Sequence, residues 1–157
     1  MSRSHISIKQ LQDIAYGHIS YEIEMFEYSG GQLVKGGLSQ AENNVMLETF
    51  LLHARCLFDF LYPPETFRND DVLADDFFDD PNKLRTRLPQ KLAISSYLKL
   101  RTGKEVAHLT YGRLKVSPEQ KKWQVDEVHN QIGEALVIFF ETLTDEKRDW
   151  FRKVYRR

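Results

Sequence analysis

The feature that most constrains the fold is the segment from Ser39 to Tyr62, which is apolar around most of the circumference of a helix. Ser39 and Glu42 have the spacing of a capping box, and Pro63 follows the end of the segment. A helix that is apolar on most sides must be surrounded by other elements. We therefore predict that this segment is the central helix of a bundle. Its apolar residues are Val45, Met46, Leu47, Phe50, Leu51, Leu52, Cys56, Leu57, Phe58, Phe60 and Leu61.

The central helix carries one narrow polar stripe. Asn44, Glu48, Arg55 and Asp59 fall within a sector of about 60° when the segment is wound as a helix. His53 lies roughly opposite this stripe, among apolar residues. We expect His53 to be a core histidine with a polar partner rather than a ligand.

Helical spacing of apolar residues predicts three further long helices. The complete set, with the central helix, is 8–28, 39–62, 89–110 and 118–143. The glycines at 30 and 31 are expected to stop the first helix, Ser117 to cap the fourth, and Thr144 to begin a short C-terminal fifth helix. The sequence contains no strand pair with a hairpin turn. The predicted fold is therefore all-α, a four-helix bundle with a short fifth helix.

A chain of 157 residues has the size of one ordinary domain, so we expect a single domain over 1–157, with residues 1–7 loose. The connection at 63–88 is long and acidic. Either its aspartates are solvated and cap a short helical turn held by Phe77 and Phe78, or they bind a divalent cation. The spacing of a calcium loop is absent, so the first interpretation is favoured, and we predict no metal and no cofactor. The aspartates are Asp70, Asp71, Asp75, Asp76, Asp79 and Asp80.

Several features predict a cytoplasmic protein that does not enter a membrane. Cys56 is the only cysteine, which suits a reducing compartment. The N-terminal residues lack the apolar core of a signal peptide, and no apolar run approaches the roughly 20 residues that a membrane helix needs. A net charge of −1 gives no global basic field for nucleic acid, although it leaves room for a local basic patch.

The segment from Tyr97 to Tyr111 places polar chemistry on one face of the predicted third helix. At about 100° per residue, Arg101, Lys104 and His108 share a narrow strip with the two tyrosines. An arginine fork matches a phosphate group, and a histidine transfers protons near neutral pH. This face is therefore a candidate site for phosphate binding and acid–base chemistry.

Arg101 and His108 are separated by six residues, which resembles the Arg-to-His signature of the HEPN superfamily. The segments LETFLLHARCLFDFLY, DDVLADDFF and AHLTYGR are also similar to small bacterial HEPN-like proteins, so the resemblance covers roughly 40–143. The resemblance implies a homodimer whose two motif helices face each other and, for many members, metal-independent RNA cleavage. It implies that Arg101 holds phosphate, His108 acts as general acid or base, and Lys104 adds positive charge. Active members usually carry Asn, His or Asp directly after the arginine, where this chain has Thr102.

Two classes of function follow from this sequence. The first is a HEPN-like endoribonuclease, or an RNA- or nucleotide-binding protein, of a stress or defence system with an antitoxin-like or other protein partner. The second is a non-catalytic dimeric interaction module, in which the polar stripe serves as a structural ion-pair network. Val137 and Ile138, on the outer side of the fourth helix, are expected to meet a partner copy.

Both classes predict one polar contact between two helices. The stripe on the central helix is expected to face the strip on the third helix, because opposite charges lower each other's desolvation cost. The expected participants are Glu48, Arg55 and Asp59 on one side and Arg101, Lys104 and His108 on the other.

Overall fold

A computed structural model describes residues 6–89, 98, 101–102, 106, 111–115, 117 and 122–152. Short 3₁₀ turns lie at Ala74–Phe77 and Tyr111–Lys115. This described part of the chain contains helices and no strands, which confirms the all-α prediction. Its α-helices are α1 (Ile8–Ile14), α2 (Ser20–Lys35), α3 (Gln40–Leu61), α4 (Asn82–Arg85), α5 (Val125–Thr142) and α6 (Asp145–Arg148).

The first helix is longer than predicted at its C-terminal end. A π-helical turn at Ala15–Ile19 joins α1 to α2, so helical backbone runs without a break to Lys35. The prediction that glycines 30 and 31 stop this helix is wrong. The helix ends instead at Gly36, whose φ of 70° lies in the left-handed region that glycine tolerates.

Gly30 serves helix packing rather than helix termination. A Cβ atom at this position would lie 2.8 Å from Cδ2 of His129 on α5 and 3.0 Å from Cε2 of Phe50 on α3. The missing side chain therefore lets α2 approach both neighbouring helices closely. At Gly31, by contrast, an added Cβ would meet nothing within 4 Å.

Ser7, which lies in the segment expected to be loose, is the N-cap of α1. The Ser7 hydroxyl accepts a hydrogen bond from the backbone N–H of Gln10 at 3.3 Å. The Gln10 side-chain oxygen accepts from the Ser7 backbone N–H at 2.9 Å. This reciprocal capping box fixes the start of α1. Residues 1–5 lie outside the described residues.

Helix α3 begins and ends close to the predicted positions. Ser39 is its N-cap, and its hydroxyl and backbone N–H both donate to the Glu42 carboxylate, at 2.7 and 2.8 Å. These hydrogen bonds hold the pKa of Glu42 below its usual range. One face of α3 is fully buried between α2 and α5, as expected for a central helix. Contrary to the expectation that other elements surround the apolar residues of this helix, Val45 and Leu52 are more than half exposed.

An aromatic cluster fixes the later segments against α5. The Phe139 ring centroid lies 5.2 Å from that of Phe60 on α3 and 5.9 Å from that of Phe77 in the acidic connection. Phe151 lies 5.9 Å from Phe139 and 4.8 Å from Phe140. Edge-to-face pairs of this kind add to the gain from burying the rings. The acidic connection and the segment after α6 therefore share one core with α3 and α5.

The aspartates of the connection at 63–88 cap turns, as the favoured interpretation predicted. Asp75 also pairs with Arg85 at 2.8 Å, and the Arg85 guanidinium donates to the Leu61 carbonyl at 2.5 Å. In the described residues, no group of three or more His, Cys, Asp or Glu is arranged to hold a metal ion. The capping contacts run from the backbone N–H groups of Arg68, Leu73 and Asn82 to Asp71, Asp76 and Asp80 at 2.7, 2.8 and 3.0 Å.

The predicted third helix lies mostly outside the described residues. Leu98 and Arg101 are α-helical, and Thr102 and Val106 belong to π-helical backbone. Leu98 is fully buried, and Val106 packs against the core. Nothing in the described part of the chain is a helix long and apolar enough to cross a membrane.

The fourth helix begins later than predicted. Residues 122–124 are not helical, and α5 starts at Val125 with Gln124 as its N-cap. Trp123, in this non-helical stretch, contacts the Arg101 guanidinium. The short last helix is confirmed: the Thr144 hydroxyl caps α6 by accepting from the Lys147 backbone N–H at 3.3 Å.

The segment after α6 closes over the π-helical turn. A π-helical turn disturbs the regular backbone hydrogen bonding of an α-helix. The Arg152 guanidinium donates to the carbonyls of Tyr16 and Gly17 in this turn, at 2.7 and 3.0 Å. The Ser20 hydroxyl donates to the Ala15 carbonyl at 2.7 Å and accepts from the Arg152 backbone N–H at 3.0 Å. The turn and the segment after α6 therefore satisfy each other's polar groups.

Candidate functional site

A cleft opens where the end of α2, the start of α3 and the residues leading into α5 meet. Its volume is about 690 Å³, within the range of roughly 300–1,000 Å³ that is common for small-molecule sites. The described residues that line it are Leu33, Val34, Asn43, Leu47, Lys122, Trp123, Gln124, Val125, Asp126 and Glu127.

The inner wall of the cleft is apolar. Leu33, Leu47 and Val125 are partly buried and pack against the main hydrophobic core. Trp123 packs there too, so its indole has a fixed place next to the open space. Val34 is more exposed, at 62% of its possible area. A flat ligand could bury one side on these residues without any rearrangement of the core.

Arg101 lies over the Trp123 indole at the edge of this cleft. Its guanidinium carbon is 4.1 Å from the ring centroid, and its Nη1 donates to the Lys122 carbonyl at 3.2 Å. A guanidinium over an indole face is a favourable cation–π arrangement. The predicted phosphate-binding arginine is therefore held next to the cleft, and the side chain of exposed Lys122 adds a second positive charge there.

The outer wall of the cleft carries hydrogen-bond acceptors. Asp126 is exposed, and no hydrogen bond or ion pair of its carboxylate occurs within the part of the chain that the structure describes. Glu127 beside it accepts from the Gln131 amide at 3.0 Å. Asn43 faces the same space from α3. The cleft thus combines an apolar wall, an acidic wall and positive charge near the tryptophan.

A second polar cluster lies between α2 and α3. Nδ1 of His53 is 2.6 Å from the Glu22 carboxylate, and His53 is buried. The prediction of a core histidine with a polar partner is confirmed. The Cys56 residue is exposed overall, but desolvation of its thiol, followed by the negative charge and hydrogen bond of Glu22, raises its pKa to about 11. The thiol is therefore protonated at neutral pH, which is unlike a nucleophilic cysteine.

A similar pair joins α2 to α5. Nε2 of His129 lies 3.2 Å from the Glu27 carboxylate, and the imidazole stacks on Phe26 with centroids 5.1 Å apart. Together with His53 and Glu22, this pair fixes α2 against both of its neighbours. We assign both pairs to packing, because each histidine is flanked by core residues.

The structure brings some of the predicted site residues together and leaves others apart. Arg55 and Asp59 pair with each other along α3, at 3.7 Å, while Glu48 is exposed. Leu47, on α3, lines the cleft beside Trp123, and Arg55 follows it by two turns, about 12 Å along the helix axis. Arg101 contacts Trp123, which lines the cleft together with Leu47.

The remaining predicted site residues give less information. Tyr111 is described and is 89% exposed, so it does not contribute to a buried site. Tyr97, Lys104 and His108 lie outside the described residues. The predicted contact between the two polar stripes consequently stays a prediction.

Sequence reasoning missed the residues that form the cleft. Trp123 was included in a predicted continuous helix, and neither Asn43 nor Asp126 was singled out. One signal was present: in KKWQVDE, at 121–127, an aromatic residue lies between two lysines and two acids. Acidic side chains are favourable at the N-terminal end of a helix. The change from basic to acidic residues around the tryptophan therefore fits the start of a helix at the edge of a binding surface.

Comparisons of the chain with family models, with curated proteins and with solved structures gave no match.

Proposed function

We propose that the protein is a HEPN-like helical-bundle protein that binds RNA or a nucleotide beside Arg101 and cleaves RNA through His108 without a metal ion. The observation that carries this proposal is the stacking of Arg101 on Trp123 at the edge of an open cleft. Arginine and an aromatic ring are the pair of groups with which proteins bind the phosphates and bases of single-stranded RNA. The single cysteine supports a cytoplasmic location.

The roles of the two motif residues follow from their chemistry. Arg101 holds a phosphate oxygen and stabilises the negative charge that develops on phosphorus. His108 takes the proton of the ribose 2′-hydroxyl, whose oxygen then attacks the neighbouring phosphorus, or gives a proton to the leaving 5′ oxygen. No cofactor is required for either step. Lys104 and Lys122 add positive charge for the RNA backbone.

Binding and cleavage are tested separately. Fluorescently labelled single-stranded and structured RNA are titrated with the wild-type protein, Arg101→Ala, His108→Ala and the matched control Arg68→Ala. We expect Arg101→Ala to weaken both binding and cleavage, and His108→Ala to keep binding while losing cleavage. Arg68 is exposed and is not among the residues that line the cleft, so its replacement should change neither. Binding without cleavage by the wild-type protein would remove the enzymatic part of the proposal, and no binding would remove all of it.

A second candidate function is a dimeric interaction module. Tyr21 and Tyr28 are seven residues apart on α2, and Val45 and Leu52 are seven apart on α3, so each pair shares one helix face. All four are about half exposed, between 45 and 57%. Val137 on α5 is also exposed, at 49%, whereas Ile138, which was expected on the same outer side, is partly buried against the core. Exposed apolar side chains that share one helix face are candidates for a protein–protein contact.

The oligomeric state tests this second candidate. Light scattering at roughly tens of micromolar protein should give the mass of a homodimer. Leu52→Glu and Val137→Glu distinguish the two exposed surfaces, since only the one at the interface should give a monomer. A wild-type monomer would count against the module, and an antitoxin-like gene next to this one would favour the ribonuclease.

A further inference from the structure

We infer that the cleft beside Trp123 is a pocket for a guanine base. This inference rests on the proposed function and names the nucleotide that the site prefers. The indole of Trp123, the apolar wall and the acidic wall surround one open volume of about 690 Å³. The chemistry of these walls favours one of the four RNA bases.

The apolar wall accounts for the binding of a planar ring. Three apolar residues of this wall already pack against the core: Leu33, Leu47 and Val125. A base that covers them removes apolar surface from water, and these side chains lose little conformational entropy because they are already ordered. Trp123 also lines the cleft, and Arg101 lies over its ring. This wall accepts any base, because every base has an apolar face.

The acidic wall accounts for the choice of base. An ionised carboxylate only accepts hydrogen bonds, and it has two oxygens that can accept from two parallel N–H groups. Guanine alone presents two adjacent donors, N1–H and the 2-amino group, on its Watson–Crick edge. Adenine and cytosine have a ring-nitrogen acceptor beside their amino group, and uracil has a carbonyl on each side of its one N–H. In all three bases an acceptor atom would face a carboxylate oxygen, which is unfavourable because both groups only accept. Asp126 is the carboxylate that suits this role, because Glu127 already accepts from Gln131.

The positive charges account for the remainder of the nucleotide. Arg101 and Lys122 lie next to Trp123, whereas Asp126 lies beyond it along the chain at the start of α5. A nucleotide with its base between the apolar and acidic walls can therefore direct its phosphate toward the basic side. The opposite orientation would put the phosphate against two carboxylates and is disfavoured by like-charge repulsion.

Nucleotide titrations test the inference. The chain has two tryptophans, so Trp150→Phe leaves Trp123 as the only indole whose fluorescence can report binding. We expect guanosine monophosphate to quench this fluorescence and to bind about tenfold more tightly than inosine monophosphate, which lacks the 2-amino group, since a hydrogen bond to a charged group is worth about that factor. Adenosine monophosphate should bind more weakly still. Calorimetry on the wild-type protein provides the same ranking if the Trp150 variant does not fold.

A matched pair of variants assigns the carboxylate. Asp126→Asn replaces one acceptor oxygen by a donor and should weaken guanosine monophosphate about tenfold, with little change for adenosine monophosphate. Asp149→Asn, at an exposed position after α6, should change neither affinity. A purely structural role of Asp126 in helix α5 would lower thermal stability without changing the order of the nucleotides.

The results separate this inference from the function on which it rests. If RNA binds but guanosine, inosine and adenosine monophosphates have equal affinities, the guanine pocket is wrong and the RNA-binding proposal stands. If neither RNA nor any nucleotide binds, both are wrong. Loss of the guanine preference in Asp126→Asn but not in Asp149→Asn supports the pocket as we describe it.

Discussion

The guanidinium of Arg152 donates a hydrogen bond to the carbonyl of Tyr16 at 2.7 Å, across 136 positions of sequence. A second donation reaches the neighbouring Gly17 carbonyl at 3.0 Å, and the guanidinium also lies 5.4 Å from the Tyr16 ring centroid. One side chain thus completes the hydrogen bonding of a π-helical turn. This arrangement explains how an irregular turn is maintained inside a long helix, and it makes the contribution of Arg152 to stability measurable.

Replacement of Arg152 should destabilise the fold. We expect Arg152→Ala to lower the free energy of unfolding by about 1–3 kcal/mol, because it leaves backbone carbonyls without their charged donors. Arg152→Lys should recover only part of this loss, since one ammonium group cannot reproduce the planar fork. Urea unfolding followed by circular dichroism measures both values, with Arg68→Ala as the control. Equal stability of all variants would show that water satisfies the turn as well as Arg152 does.

The two adjacent glycines of α2 should respond in opposite directions to alanine. Gly30→Ala places a methyl group 2.8 Å from His129 Cδ2, so we expect a loss of about 1–3 kcal/mol from overpacking. Gly31→Ala meets nothing within 4 Å and removes freedom from the unfolded chain, so we expect a gain of about 0.4–1 kcal/mol. Thermal melts of the two variants provide the comparison. A stabilising Gly30→Ala would contradict the close helix contact.

The thiol of Cys56 should react slowly with iodoacetamide near neutral pH. Its pKa is raised from the ordinary 9.0 to about 11, so the reactive thiolate is scarce at pH 8 and becomes abundant only as the pH rises toward 11. Glu22→Gln removes a negative charge that raises this pKa and should therefore accelerate alkylation at pH 8. Glu65→Gln, on the exposed connection, serves as the control. Mass spectrometry measures the alkylation rate as a function of pH. Equal rates in the wild type and Glu22→Gln would contradict a contribution of Glu22 to the raised pKa of Cys56.

The variant His108→Ala distinguishes a catalytic from a structural histidine. A histidine held in a buried ion-pair network should cost about 1–3 kcal/mol of stability when it is removed. A catalytic histidine in an open site should leave the melting temperature nearly unchanged while RNA cleavage is lost. Thermal melts and cleavage assays on the same preparation give both quantities. Loss of stability with unchanged cleavage would reject the proposed role of His108.

Local signals in the sequence predicted much of the fold. Ser39 and Glu42 form the capping box that their spacing indicated, and Thr144 caps the last helix as expected. Ser7 and Gln10 have the same spacing, but the capping box that they form was not predicted. Capping boxes are reliable because both partners lie within one helical turn, so no distant residue is needed to form them.

Features that depend on distant residues could not be predicted in this way. Gly30 has the local appearance of a helix end, and only the approach of His129 from α5 shows why glycine belongs inside the helix. Trp123 likewise lies in a non-helical stretch of a sequence with helical periodicity, and its contact with Arg101 comes from a segment distant in sequence. For the candidate site, the sequence identified Arg101 but not the cleft, since the lining residues come from three separate helices whose packing is a tertiary property.

The bond between Arg152 and the π-helical turn also determines how the native protein opens. Backbone amides exchange their hydrogens in cooperative units, and the members of a unit are joined by contacts rather than by sequence. Detachment of the segment after α6 would expose the carbonyls of residues 16 and 17 and withdraw Phe151 from the aromatic cluster at the same time. We therefore expect the amides around residue 20 and those around residue 150 to form one exchange unit, so that whatever slows hydrogen exchange in one of these segments slows it in the other.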